Sequence, residues 1–128
     1  MKRHEYRTNA PWEPLVGYAR AVRLGPHLYI SGTTATNAQG QIVHPGDAAA
    51  QAAHIFEMLA RVLAEAGGTL QNVGRTRIYL TEAADWEAVG RAHAAAFGDV
   101  RPACTMVVVA ALLDPALRVE IEADAYLG

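Results

Sequence analysis

A single cysteine, Cys104, is all the thiol this 128-residue chain carries, so no intrachain disulfide can form and nothing calls for an oxidising compartment. Long apolar runs are missing as well. No stretch approaches the roughly 18 apolar residues of a membrane span. The basic opening MKRHEYR runs into TNAPWEP, where a signal peptide needs an apolar segment. Neither sign of charge dominates. With 11 Lys and Arg against 13 Asp and Glu, the formal net charge of −2 gives no long-range pull toward nucleic acid or anionic membrane. Metal-ligand spacing is lacking too: His4, His27, His44, His54 and His93 form no His-Glu-x-x-His pattern and have no cysteine pair beside them. Gly67-Gly68 ends a helical pattern and does not open one, so it is no phosphate loop. These absences predict a soluble, cytoplasmic protein with no metal, no cofactor, no membrane contact and no nucleic-acid partner.

What is present is the composition of a folded domain. Hydrophobic residues make up 52% of the chain, many of them alanines, and no linker or repeat divides it. One domain over 1–128 is expected. Alanine buries little area per residue, so association into an oligomer is a natural way to hide more surface.

Pro11 and Pro14 disfavour a regular element in the N-terminal dozen residues. YARAVRL (18–24) and HLYISGTTA (27–35) alternate as strands around the tight connection GPH, and a short strand is possible at Gln41-Ile42-Val43. The period then changes. Ile55, Leu59, Val62, Leu63 and Ala66 recur at helical spacing, with Asp47 as N-cap and Gly67-Gly68 as stop. GRTRIYLT (74–81) is a strand with Thr76, Ile78 and Leu80 on one face and Arg75, Arg77 and Tyr79 on the other. A second helix is expected over 84–97, with Trp86, Val89, His93 and Phe97 on its packed stripe and Asp85 near its positive end. ACTMVVVAAL and RVEIEADAYL close the chain as strands. The order β-β-α-β-α-β-β, with a hairpin expected at each end, predicts an α+β sandwich: a mixed sheet with both helices on one face.

The last strand puts Val119, Ile121, Ala123 and Ala125 on one side and Glu120, Glu122, Asp124 and Tyr126 on the other. A strand with acids along a whole face is wet there, paired with cations, or lining a site. Arg75 and Arg77 are the expected partners for Glu122 and Asp124, because carboxylates taken from water need partners.

Taken in order, the segments GYARAV, LYISG, AQAAHIFEMLARVLAEAGG, NVGRTRIYLTEAADWEAV, RPACTMVVVA and RVEIEADA resemble the Rid family, the reactive intermediate deaminases also called the YjgF or endoribonuclease L-PSP family. The resemblance runs from about Gly17 to Tyr126. It implies a chorismate-mutase-like domain that forms homotrimers, with a central barrel of sheets and a cleft between subunits for a small carboxylate-bearing molecule. The activity it implies is hydrolysis of reactive enamines and imines, such as 2-aminoacrylate, to a keto acid and ammonia.

Carried over residue by residue, the resemblance assigns Tyr18 to the family's aromatic position, Ser31-Gly32 followed by Thr33 to its Ser-Gly-Gln turn, and Glu120 to its catalytic glutamate. Ser31 has a second reading, as a residue whose hydroxyl caps a turn. The serine and glutamine after the aromatic are replaced here by Ala19 and Arg20, and an asparagine after the valine of the second helix by Gly90. The largest departure is in the Pro-Ala-Arg-Ser segment, which reads Pro102-Ala103-Cys104-Thr105. Cys104 stands where an arginine clamps the substrate carboxylate.

An arginine fork holds a carboxylate bidentately, whereas a thiol offers a weak donor and no charge. Losing such a clamp from a partly desolvated pocket costs about 2–5 kcal/mol of binding. Arg20 or Arg101 is the expected replacement cation. Cys104 itself has two readings, an apolar filler or pocket-lining group and a reactive thiol; the residues around it carry no Cys-His signature of a nucleophile. Three functions follow: a hydrolytic deaminase using Glu120 for water or proton transfer, a ligand-binding or regulatory trimer without turnover, and, with little support in charge or aromatics, an endoribonuclease.

Overall fold

A computed structural model of the chain describes residues 2–128. Its strands are β1 Arg3–Tyr6, β2 Ala21–Leu24, β3 His27–Thr33, β4 Val73–Leu80, β5 Ala103–Val108 and β6 Val119–Tyr126. Its helices are α1 Trp12–Val16, α2 Ala48–Glu65 and α3 Trp86–Phe97, with 3-10 turns at Leu70–Asn72 and Ala83–Asp85. The strands form one mixed sheet in the order β1-β2-β3-β6-β4-β5. All neighbours are antiparallel except β4 and β5, which the crossover through α3 makes parallel.

The expected α+β architecture is present, and α2 and α3 cover one face. Asp47 caps α2 by accepting from the Ala50 amide at 3.1 Å, and Gly67 takes the left-handed backbone (φ 88°) that ends it. Ile55, Leu59 and Leu63 of α2 bury against Leu28 and Ile30 of β3, Ile78 of β4 and Ile121 of β6. Among the described residues the opposite face of the sheet carries no helix of this size, and the acids of β6 lie on it.

Three expectations change. The N-terminal dozen is not irregular: β1 pairs with β2, and Pro14 sits in the first turn of α1, where backbone N–H groups have no intrahelical partner to lose. The two C-terminal strands do not form a hairpin. The connection 109–118 carries β6 from the sheet edge to a central place between β3 and β4, because all four alternate apolar residues of β6 are buried while β5 is largely exposed. Trp86 does not pack: it is exposed at the first residue of α3, and the packed stripe begins at Val89.

The long connection is fastened by Gln51, fully buried on α2. Its amide donates to the carbonyls of His44 and Ala116, both at 3.0 Å, and its side-chain oxygen accepts from the Arg118 amide at 2.9 Å. Arg118 in turn pairs with Asp85 at 2.8 Å. That side chain therefore sets where β6 begins, and with it the position of Glu120 two residues later.

Candidate active site

Alternation places Arg20, Ser31 and Glu120 on the open face of the sheet, since Ala19, Ala21, Ile30, Val119 and Ile121 all point into the core. Between β2 and β6 the register of β3 shifts at residues 31–32, and Gly32 sits there. Arg20 reaches over from one side, its Nη2 donating to the Gly32 carbonyl at 2.6 Å. Glu120 lies against Gly32 from the other side, so close that a Cβ there would collide with Oε2. A glycine flanked by a guanidinium and a carboxylate is the centre of the arrangement.

The acids of β6 divide by environment. Arg77 pairs with Asp124 at 3.2 Å and reaches Glu122 at 3.8 Å, while the Tyr79 hydroxyl donates to Glu122 at 2.6 Å. Arg77 thus takes the structural pairing expected of it. Glu120 stands outside this network, with no hydrogen bond or ion pair among the described residues. Burial raises its pKa above the ordinary value; Arg20 pulls it back and the negative Glu122 adds to the rise. A carboxyl raised in this way holds its proton to higher pH than an ordinary glutamate and can return it.

Tyr18 and Ser31 line a hollow of about 640 Å³ beside this row, together with Arg3, Glu5 and Glu13. Gly17, left-handed at φ 87°, turns the chain out of α1 so that Tyr18 enters the hollow, and the Tyr18 amide donates to the Glu13 carbonyl at 3.0 Å. The Ser31 hydroxyl donates to the Ala19 carbonyl at 2.8 Å, tying β3 to the segment before β2.

The remaining expected residues lie elsewhere. Thr33 is buried on the helix-facing side, its hydroxyl donating to the Ser31 carbonyl at 2.9 Å. Cys104 is exposed on the edge strand β5. It pairs in register with Thr76, a buried residue on the helix side that bonds His93 of α3 at 2.8 Å. Cys104 and Glu120 therefore belong to opposite faces of the sheet, two strands apart. Arg101 is exposed just before β5 with a left-handed backbone (φ 48°), also far from Glu120. Within one chain Arg20 and Glu120 both meet Gly32, while Tyr18 and Ser31 line the neighbouring hollow, whose lining includes neither of those charged groups; Thr33, Cys104 and Arg101 lie apart.

Sequence reasoning missed two contributors. Gly32 was legible only as part of a turn, since nothing in the sequence says which side chain crosses it. Glu13 is buried at the base of the hollow, accepting from the Thr8 amide at 2.9 Å and from the Thr8 hydroxyl. A lone acid between two prolines gives no signal for that. Among the described residues no group of three or more His, Cys, Asp or Glu is placed to hold a metal ion.

Known proteins share this fold over nearly the whole chain. The pattern of the endoribonuclease L-PSP family matches residues 8–127. The crystal structure of Rv2704 from Mycobacterium tuberculosis, described as a member of the YjgF/YER057c/UK114 family, is 44% identical with a TM-score of 0.87, covering 98% of this chain and 99% of that one. The 3-aminoacrylate deaminase RutC of Acinetobacter baylyi is 35% identical over 114 residues, 89% of this chain and 90% of its own length. RidA from an Antarctic Psychrobacter is 28% identical with a TM-score of 0.82, covering 95% of this chain and 94% of that one. The chain belongs to the endoribonuclease L-PSP family, known equally as the YjgF or Rid family.

Proposed function

We propose that this protein is a hydrolytic deaminase of small enamines and imines that carry a carboxylate, acting in the cytoplasm as a homotrimer. The observation that carries the reading is Glu120: a half-buried carboxyl, free of the ion-pair network beside it, held against Gly32 next to a cation. The similarity to RutC supports the same chemistry.

The reaction needs a proton donor and a directed water. An enamine takes a proton at carbon and gives one up at nitrogen to become the imine. Water then adds to the C=N carbon, the nitrogen is protonated, and the C–N bond breaks to give a carbonyl compound and ammonia. Glu120 gives a proton to carbon or nitrogen in its acid form and takes one from the attacking water in its ionised form. Tyr18 and Ser31 form the wall of the ligand's hollow.

Trimer formation rests on two features. Cys104 and Glu120 face opposite sides of one sheet, so a cleft containing both needs two copies. The edge strand β5 leaves Val107 and Val108 exposed, an apolar edge that another chain can cover. Arg101 lies beside that edge, and Cys104 lines the cleft from it.

Ammonia release from 2-aminoacrylate and 3-aminoacrylate generated in place, measured against buffer, tests the reading. Release faster than buffer that disappears in Glu120→Gln is expected; no acceleration for either would overturn it. A second reading, a trimer that binds a metabolite without turnover, is favoured by Cys104 in the clamp position. It predicts ligand-induced thermal stabilisation without product, and gain of deaminase activity in Cys104→Arg.

A further inference from the structure

We propose that Arg118, gripped by Asp85 and Gln51, is the positioning residue of Glu120. The inference rests on the deaminase reading and adds to it how the reacting carboxyl is kept in place.

The strand that carries Glu120 tethers it poorly. Pairing between β3 and β6 ends at Thr33 and Ile121, so Val119 and Glu120 keep a strand neighbour on one side alone, Leu80 and Tyr79 of β4. A strand end paired on one side opens readily. The place of Glu120 then depends on what holds the residues before it. Arg118 is held from several directions. Its amide donates to Gln51 Oε1 at 2.9 Å, and its carbonyl accepts from the Thr81 amide at 3.2 Å. Its guanidinium donates to the Gly46 carbonyl at 3.3 Å through Nη1 and pairs with Asp85 at 2.8 Å through Nη2.

Asp85 is an independent pointer to the same residue. It stands at the N-cap of α3, where an aspartate ordinarily accepts from the first free amides of a helix, and makes no such bond. Its carboxylate faces Arg118 instead. The two side chains are only 29% and 19% exposed, which sets the pair apart from the loose ion pairs of an open surface. A helix start is left uncapped so that the connection 109–118 is fastened two residues before Glu120. Two residues of extended chain span at most about 7 Å and leave little slack.

The charges that act on Glu120 are Arg20 and Glu122, with the Tyr79 hydroxyl group on the neighbouring strand. Neither Asp85 nor Arg118 is among them. Loosening the Asp85–Arg118 pair therefore reaches Glu120 by changing its position and burial.

Asp85→Asn keeps the shape of the pair and removes one charge. Arg118→Lys keeps the charge but has one nitrogen where Asp85 and Gly46 need two, and it carries the test should the asparagine variant fail to fold. The Glu120 carboxyl is titrated by NMR in protein made with carbon-13 glutamate, its signal assigned by Glu120→Gln, while kcat and KM for ammonia release from 2-aminoacrylate are measured alongside. In both variants the titration is expected to move down toward the ordinary 4.5 as the carboxyl gains water. Turnover should fall about tenfold in kcat with KM within about twofold of the wild type. Ile55→Val, a change in the core face of α2 that costs stability without touching Arg118, should move neither readout. A Glu120 titration that stays at its wild-type place in a folded variant overturns the proposal, and so does an unchanged kcat where the titration has moved. The two readings fail separately. A wild type that releases no ammonia sinks the deaminase, and the titration alone then decides the positioning role. Ammonia release with both readouts unchanged in the variants sinks the positioning role and leaves the deaminase.

Discussion

Gly32→Ala adds one methyl group to the open face and is expected to cost far more activity than stability. The new Cβ would occupy the space of Glu120 Oε2, well inside any contact that real Cβ atoms make. The carboxylate must retreat by about 1 Å to recover ordinary van der Waals separation. A displacement of that size at a reacting group costs on the order of a hundredfold in rate. Stability should change little. The clash is with the end of a flexible side chain, Gly32 has no positive φ for alanine to strain, and replacing glycine reduces the freedom of the unfolded chain. These terms leave the net change within about 1 kcal/mol. Gly74→Ala is the control, because a Cβ at that position of β4 meets nothing within 4 Å. Ammonia release and urea unfolding are measured on both variants. A Gly32→Ala protein that is folded and as fast as the wild type would refute the placement of Glu120 at the reacting centre.

Three further outcomes follow from the same contacts. The Glu120 carboxyl has a pKa raised above 4.5, chiefly by burial, with Glu122 adding to the rise and Arg20 opposing it. The folded state therefore holds this proton more tightly than the unfolded chain, so its contribution to stability is present below 4.5 and lost as pH rises through the raised value. Glu120→Gln should flatten that part of a stability profile taken by urea unfolding between about pH 4 and 8. His93 behaves oppositely in direction: burial against Phe56 and Phe97 lowers its pKa from 6.5, and the neutral ring bonds Thr76. Stability is lost as pH falls below 6.5, where the unfolded chain takes up the proton first, and His93→Gln should remove that slope in the same titration. Gln51→Leu leaves the Arg118 amide without its acceptor and takes one of two donors from the His44 and Ala116 carbonyls, which keep the Asp47 and Gly46 amides, so a loss of about 1–3 kcal/mol is expected in denaturant unfolding; a loss under half of that would mean water or the loop replaces the bonds.

Much of the architecture can be read in the sequence because each main element buries one regular face. The stripe Ile55, Leu59 and Leu63 and the alternation of Val119, Ile121, Ala123 and Ala125 each have a single packed solution. The order of strands in the sheet cannot be read so directly. Nothing local distinguishes a C-terminal hairpin from a β6 inserted beside β3; the choice depends on which strand has a face worth burying, and the exposed pattern of β5 decides it. The N-terminal strand was hidden for a related reason. RHEY has no apolar alternation, since β1 sits at the edge and is held by its backbone pairing with β2. Of the site, the residue types were visible and their grouping was not. Tyr18 and Glu120 are about a hundred positions apart, and only the insertion of β6 next to β3 brings Glu120 to Gly32.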